Sequence, residues 1–247
     1  MSGSLGLRKV ARFNWPWYAA ALAALAGGVL ILRRAAPAPG VHALIVAGLC
    51  VVAFWFLASL GVSYLVYDRS GIARGAWLDA VDAASVRSAL VLHAGQDEAS
   101  EAAARALPHA ALRVFDVHGA GRKGTPSLER ARALAGRRDT AVAPDALPLA
   151  DGTLDLALLV FAAHEIRAER ERAACFRDLA RTLAPGGRIL VVEHLRDGWN
   201  LLAYGPGALH FLSRRTWAAT FRDAGLQLLA ERRCTPFVAV FTLGRAA

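Results

Sequence analysis

Two long stretches without a single Asp, Glu, Lys or Arg, Trp15–Leu32 and Val41–Tyr67, constrain this chain more than any other feature. Each reaches the roughly 20 apolar residues that a helix needs to cross the hydrocarbon layer of a bilayer. Two rival readings exist: a buried helical pair in a soluble protein, and, for the first run alone, a secretory signal. Arg8, Lys9 and Arg12 precede the first run as they would in a targeting peptide, and Ala36-Pro37-Ala38 follows with the small residues of a cleavage site. The second run is long for a core helix and spans by itself, which favours a retained hairpin. Trp15, Trp17 and Tyr18 at one end, and Tyr64 and Tyr67 at the other, suit the headgroup interface.

Two crossings joined by the short segment 33–40 place both chain ends on one side of the membrane. Positive charge lies before the first run, in the turn (Arg33, Arg34) and after the second (Arg69, Arg74), so the bias toward termini inside is weak. The expected organisation is a tail with two transmembrane helices over 1–67, a juxtamembrane connector over 68–84, and a folded domain over 85–247. The net charge of +9 comes from dispersed arginines interleaved with acids, with only Lys9 and Lys123 as lysines. No basic stripe with stacking aromatics exists, so attraction to anionic lipid explains the charge better than nucleic acid does. Cys50, Cys175 and Cys234 are odd in number and widely spaced, which supports neither a disulfide framework nor a thiolate metal site and fits a reduced compartment.

Beyond Tyr67, short apolar runs alternate with amphipathic stretches, the pattern of a parallel sheet covered by helices. Strands are expected near 88–94, 112–117, 139–143, 154–161 and 188–194, with helices near 97–106, 126–135 and 168–183. Thr125-Pro126 marks a helix start, and Pro185-Gly186-Gly187 a stop and turn. A helix over 213–224 precedes two strands, 226–234 and 237–244. Only Thr235 and Pro236 separate them, a connection that permits only an antiparallel pair.

The stretches "DALPLADGTLDLALLVFAAHEI" and "ACFRDLARTLAPGGRILVVEH" resemble the middle of class I S-adenosylmethionine-dependent methyltransferases. The first loop, "HAGQDEAS", and "YDRSG" after the second apolar run resemble a membrane-anchored subset with a degenerate glycine motif. The resemblance implies a Rossmann-like α/β fold, S-adenosylmethionine as cofactor, and a set of site residues. Asp116, ending the second strand, would accept hydrogen bonds from the ribose diol. Asp145 would accept from the adenine amino group, with the amides of Ala146 and Leu147 on the ring nitrogens and Leu147 and Leu149 walling the ring. Phe161, Ala162 and Ala163 would lie beside the methyl group.

His93 and Gly95 belong to the first loop, where Gly95 alone can take the unusual backbone angles of the turn. Asp97 is placed to cap the following helix, whose free amides suit a carboxylate, and Asp97 or Glu98 to face the cofactor ammonium. A second glycine loop, "GAGRKG" at 119–124, has the formal spacing of a dinucleotide site with Asp145 downstream, which keeps an NAD(P)-binding oxidoreductase open as an alternative.

Methyl transfer from a sulfonium needs no metal, and none is expected. A base is needed only where the acceptor starts protonated. His164 and Glu165, just after the fourth strand, and His194, ending the fifth, are the candidates. The segment 194–215 mixes apolar and polar side chains as an amphiphile pocket would, with Arg196, Asn200, Tyr204 and His210 as candidate substrate contacts. The expected protein is a two-pass methyltransferase of the inner, cytoplasmic membrane with its domain on the cytoplasmic side, acting on a lipid-like or other membrane-associated small acceptor. The alternative from another class is a catalytically silent membrane scaffold that keeps the fold.

Overall fold

The computed structural model describes residues 5–118, 125–135 and 139–246. Two long helices, α1 (Leu5–Ala35) and α2 (Pro39–Tyr64), pack against each other and are joined by residues 36–38. Both are long and apolar enough to cross a membrane, and none of their most apolar stretch is buried in protein.

α1 begins ahead of the uncharged run and takes in Arg8, Lys9 and Arg12. Its own first turn has no acidic residue. The cap comes from Asp68, whose carboxylate accepts from the amides of Gly6 (2.9 Å) and Leu7 (2.8 Å). This satisfies two of the unpaired donors of a helix start and sets a negative charge at the positive end of the helix dipole. The start of α1 and the end of α2 therefore meet at the folded domain.

The described residues form a seven-stranded sheet: β1 (Ser88–His93), β2 (Ala111–Asp116), β3 (Thr140–Ala141), β4 (Leu154–Val160), β5 (Leu183–His194), β6 (Leu226–Thr235) and β7 (Val238–Arg245). The order is β3-β2-β1-β4-β5-β7-β6; β1 to β5 are parallel, and β7 runs antiparallel to both neighbours. β1 and β4 are covered on both faces, which is why they read as largely apolar runs, with Asp155 the one charged residue in β4. One face is covered by α5 (Glu169–Thr182) and α7 (Arg214–Asp223), which bury Phe176, Leu179, Trp217 and Phe221. The other face carries α3 (Ser100–Ala106) and short 3₁₀ turns over 72–85. Residues 68–84, expected as a connector, thus contribute core: Ile72, Trp77 and Leu78 are buried, and the Trp77 indole donates to the Ile72 carbonyl (3.0 Å).

Three boundaries differ from the sequence pattern. β3 is only two residues long, an exposed edge strand with no apolar face to extend it. β5 begins at Leu183, because Pro185-Gly186-Gly187 forms a bulge inside the strand: Leu154 pairs with Leu183 and Leu156 with Arg188. A Cβ at Gly187 would stand 2.7 Å from the Leu154 carbonyl oxygen, so the bulge needs glycine there. Asp97 lies ahead of α3 and accepts from the amides of Ala99 and Ser100, capping it as expected. α4 (Pro126–Ala135) starts under the Thr125 cap. α6 (Gly198–Tyr204) and the 3₁₀ turn after it pack on α2, where a Cβ at Gly205 would run into the Trp55 ring at 2.7 Å.

Candidate functional site

In a sheet of this order the chain leaves β1 toward β2 on one side and reaches β4 on the other, which opens a crevice at the carboxyl ends of the strands. His93, Gly95, Asp97 and Asp116 meet there around a cavity of ≈ 480 Å³. Gly95 has φ +91°. Its amide donates to His93 Nδ1 (3.0 Å), while His93 Nε2 sits 3.1 Å from Asp139. The Asp116 carboxylate accepts from the His118 amide (2.8 Å) and from the Arg132 guanidinium (2.9 Å). Arg132 runs directly over Gly95, where any Cβ would collide with its side chain. The one glycine of the loop therefore makes room for an arginine as well as for a turn.

The remaining wall of this cavity is α1, through Lys9, Arg12 and Phe13. Lys9 Nζ reaches Glu98 (3.2 Å), Arg130 of α4 donates to the Phe13 carbonyl (2.6 Å), and Ser127 bonds Asn14 (3.0 Å). Pro16 has no amide hydrogen to offer the Arg12 carbonyl, so the helix ladder is broken where α1 leaves the domain.

Across β4 the chain makes a strained turn. Phe161 has φ +51°, an uncommon backbone for a residue with an aromatic side chain, of the kind that collects at functional sites. Its ring stacks on His194 (5.0 Å between centroids), which stacks in turn on Phe211 (4.8 Å). His194 is buried; its Nδ1 lies 3.0 Å from the Phe237 carbonyl and 3.2 Å from Asn200 Oδ1, and its Nε2 lies 3.4 Å from the Tyr67 hydroxyl.

Burial holds the His194 imidazole neutral, bringing its pKa down to about 4 against the hydrogen bond to Phe237. A histidine depressed in the fold contributes stability that is complete above its unfolded value of 6.5 and disappears as pH falls toward 4. Thermal unfolding followed between pH 7 and 4 is expected to show this loss, and His194→Gln to flatten it.

A second cluster joins the end of β4 to the segment after α6. His164 Nδ1 is 2.7 Å from Glu193, a β5 carboxylate with no exposed surface, whose other oxygen accepts the His164 amide (3.1 Å). On the far side of the ring, Glu165 Oε1 lies 3.5 Å from His164 Nε2 and 3.4 Å from His210 Nε2. Arg167 donates to the carbonyls of His164 (3.1 Å) and His210 (2.7 Å), clamping the two segments together. Burial works against the charged form of His164, but the Glu193 and Glu165 carboxylates outweigh it and lift the pKa to about 10. Burial likewise opposes ionisation of Glu165, and the His164 and His210 rings overcome it, holding the carboxyl well below its usual range. So arranged, the two carboxylates favour the protonated form of the His164 ring.

The structure gathers His93, Gly95, Asp97 and Asp116 in one cavity, with Glu98 joined to it through Lys9. Asp145 and Ala146 lie exposed on the loop after β3 and do not line that cavity. Leu147 and Leu149 are core residues, and the Leu147 amide donates to Asp178 (2.6 Å), so it is not free for a ring nitrogen. Phe161 and Ala162 lie on the β4 side with the aromatic stack. Arg196 is exposed and Tyr204 partly buried against His194 and Phe211. Asn200 is fully buried, its amide donating to Asp197 and the Phe237 carbonyl and its oxygen lying 3.2 Å from His194 Nδ1. Sequence reading missed Arg132, Lys9, Glu193 and Arg167, since a charge on a helix face or strand shows its partner only once the elements are packed. The 119–124 glycine loop lies outside the described residues.

Sheet order, strand directions and the crevice at the switch point define the class I methyltransferase fold. The family described as a methyltransferase domain matches residues 123–191 of this chain. No curated protein matches the sequence. Among solved structures, mitomycin 7-O-methyltransferase MmcR aligns at TM-score 0.55 and 19% identity, covering 100% of this chain and 74% of its own. A SAM-dependent methyltransferase from Aquifex aeolicus aligns at 0.52 and 14%, covering 71% and 93%. Human N-acetylserotonin methyltransferase, solved with SAM, aligns at 0.52 and 15%, covering 78% and 56%. At these identities the likeness shows the fold.

Proposed function

We propose that this chain is a membrane-anchored S-adenosylmethionine-dependent methyltransferase, its domain on the cytoplasmic side, acting on a lipid-like or other membrane-associated small acceptor. One observation carries the reading: the apolar hairpin touches both halves of the site. α1 walls the cavity that holds Asp116 and Gly95, and α2 carries the α6 segment that leads to His210. Trp199, Leu201, Leu202 and Leu209 of that segment are all about half exposed or more beside the hairpin. Apolar side chains so grouped mark a surface that meets lipid or a partner rather than water.

The crevice suits the cofactor. Its volume is in the range of small-molecule sites, roughly 300–1,000 Å³. Asp116 offers two oxygens to a diol, Asp97 and Glu98 suit an ammonium, and Lys9 at the rim suits a carboxylate. When bound, S-adenosylmethionine supplies a methyl group already activated by the charge on sulfur. The work of the chain is to orient that group and exclude water, and for this Arg132 must withdraw from Asp116.

The same arginine favours the second reading, a silent scaffold, because it covers both Asp116 and Gly95. The test reconstitutes the full chain in nanodiscs made from a total membrane lipid extract and supplies methyl-labelled cofactor. Label is expected in the organic phase with the wild-type chain and not with Asp116→Ala. Saturable binding of S-adenosylhomocysteine without labelled lipid would overturn the acceptor class, and no binding by the wild-type chain would establish the scaffold.

A further inference from the structure

We propose that His164, Glu165 and His210 form a site for a divalent transition-metal ion of the zinc class, with Glu193 as the carboxylate that orients His164. Among the described residues this group offers three ligand atoms, two imidazole nitrogens and one carboxylate oxygen, all within 4.8 Å of one another. The spacing is informative. The Glu165 oxygen stands 3.5 Å from one ring nitrogen and 3.4 Å from the other, longer than the ~2.7–3.2 Å of well-formed hydrogen bonds. Tetrahedral zinc with bonds of about 2.0–2.2 Å places neighbouring ligand atoms about 3.3–3.6 Å apart.

The surroundings have the form such sites take. A metal-bound histidine nearly always donates its other ring nitrogen to a carboxylate or carbonyl, which fixes tautomer and ring plane. Glu193 does this at 2.7 Å from a position with no solvent exposure, and also accepts the His164 amide. Arg167 fixes the relative position of the two histidine segments by bonding both carbonyls. A dication binding here would displace the ring proton of His164 and leave two neutral imidazoles beside the carboxylates of Glu165 and Glu193, whose charge it would balance. Two imidazoles and one carboxylate favour zinc-like ions over magnesium or calcium, which take mostly oxygen ligands.

Three protein ligands leave a fourth position open, and Glu165 also lines a cavity of ≈ 340 Å³ with Val117 and His118. An oxygen ligand there, a hydroxyl or phenol of the acceptor, would be acidified by the ion, its proton passing to water and the bonding pair staying on oxygen. This role rests on the methyl-transfer reading; the ion site does not. It also departs from the expectation, drawn from sulfonium chemistry alone, that no metal is needed.

The test uses the full detergent-solubilised chain, stripped with chelator and titrated with Co²⁺ as a coloured stand-in for zinc, with elemental analysis after zinc loading. One equivalent per chain is expected, with the intense visible bands of a tetrahedral nitrogen–oxygen site. His210→Ala, at a half-exposed position that leaves the core intact, is expected to weaken binding at least about 100-fold, and Glu193→Gln by roughly 10–100-fold. Cobalt bands or stoichiometry unchanged in His210→Ala would overturn the site, as would thiolate charge-transfer bands assigning the ion to a cysteine. S-adenosylhomocysteine titrated in parallel separates the two proposals: cofactor binding without cobalt binding sinks only the ion site, and the converse sinks only the methyl-transfer reading.

Discussion

Asp116→Ala is expected to weaken S-adenosylhomocysteine binding by roughly 100-fold or more, measured by calorimetric titration of the full chain in detergent. The carboxylate ends β2 at the crevice, is only 7% exposed, and already shows the geometry of a two-point acceptor. Each hydrogen bond to a charged group is worth about 1.5–3 kcal/mol, so losing two from a diol costs about 3 kcal/mol or more. The His118 amide bond to Asp116 is a local turn contact, so the fold should survive the change. An affinity within about threefold of wild type would show that the diol is held elsewhere.

Arg172→Ala is expected to produce the largest loss of stability, roughly 3–5 kcal/mol, read from chemical or thermal unfolding of the domain. Arg172 lies in α5, is 2% exposed, and faces no carboxylate at hydrogen-bond distance among its described contacts. Its guanidinium instead donates to Thr220 (3.1 Å), to the carbonyl of Ile166 (3.0 Å) and to that of Arg167 (3.4 Å), and lies 5.8 Å from the centre of the Trp217 ring. Alanine would leave those groups unpaired and a hole under the tryptophan. Arg172→Lys is expected to recover little, since an ammonium lacks the planar fork that reaches α7 and the Ile166 turn together. That turn carries His164 and Glu165, so the same variants should also loosen the cluster beside it.

Much of the architecture could be read from local pattern. The strands with two buried faces, β1 and β4, appear as largely apolar runs, interrupted in β4 only by Asp155; Thr125-Pro126 begins α4; and the two-residue link between β6 and β7 leaves only an antiparallel pairing. Asp116 and Gly95 both line the crevice because a strand end and a turn glycine occupy positions that the fold fixes. Leu147 and Asn200 sit differently from the sequence reading for the opposite reason. Each residue type suits a pocket, and only the positions of Asp178 and the Phe237 carbonyl show that their polar groups are already engaged. Arg132 and Lys9 gave no signal, because an arginine on a helix face looks the same whether it meets solvent or a carboxylate on another strand.

Composition and order along the chain by themselves determined the apolar hairpin, the alternating strands and helices, and the antiparallel finish, since these depend on periodicity and turn length within a few residues. Tertiary structure alone decided that Asp68 caps a helix 61 residues away, that the start of α1 walls the crevice, and that His210 joins His164 and Glu165. Such contacts pair groups distant in sequence. Their strength depends on distance and burial, which the order of residues does not contain.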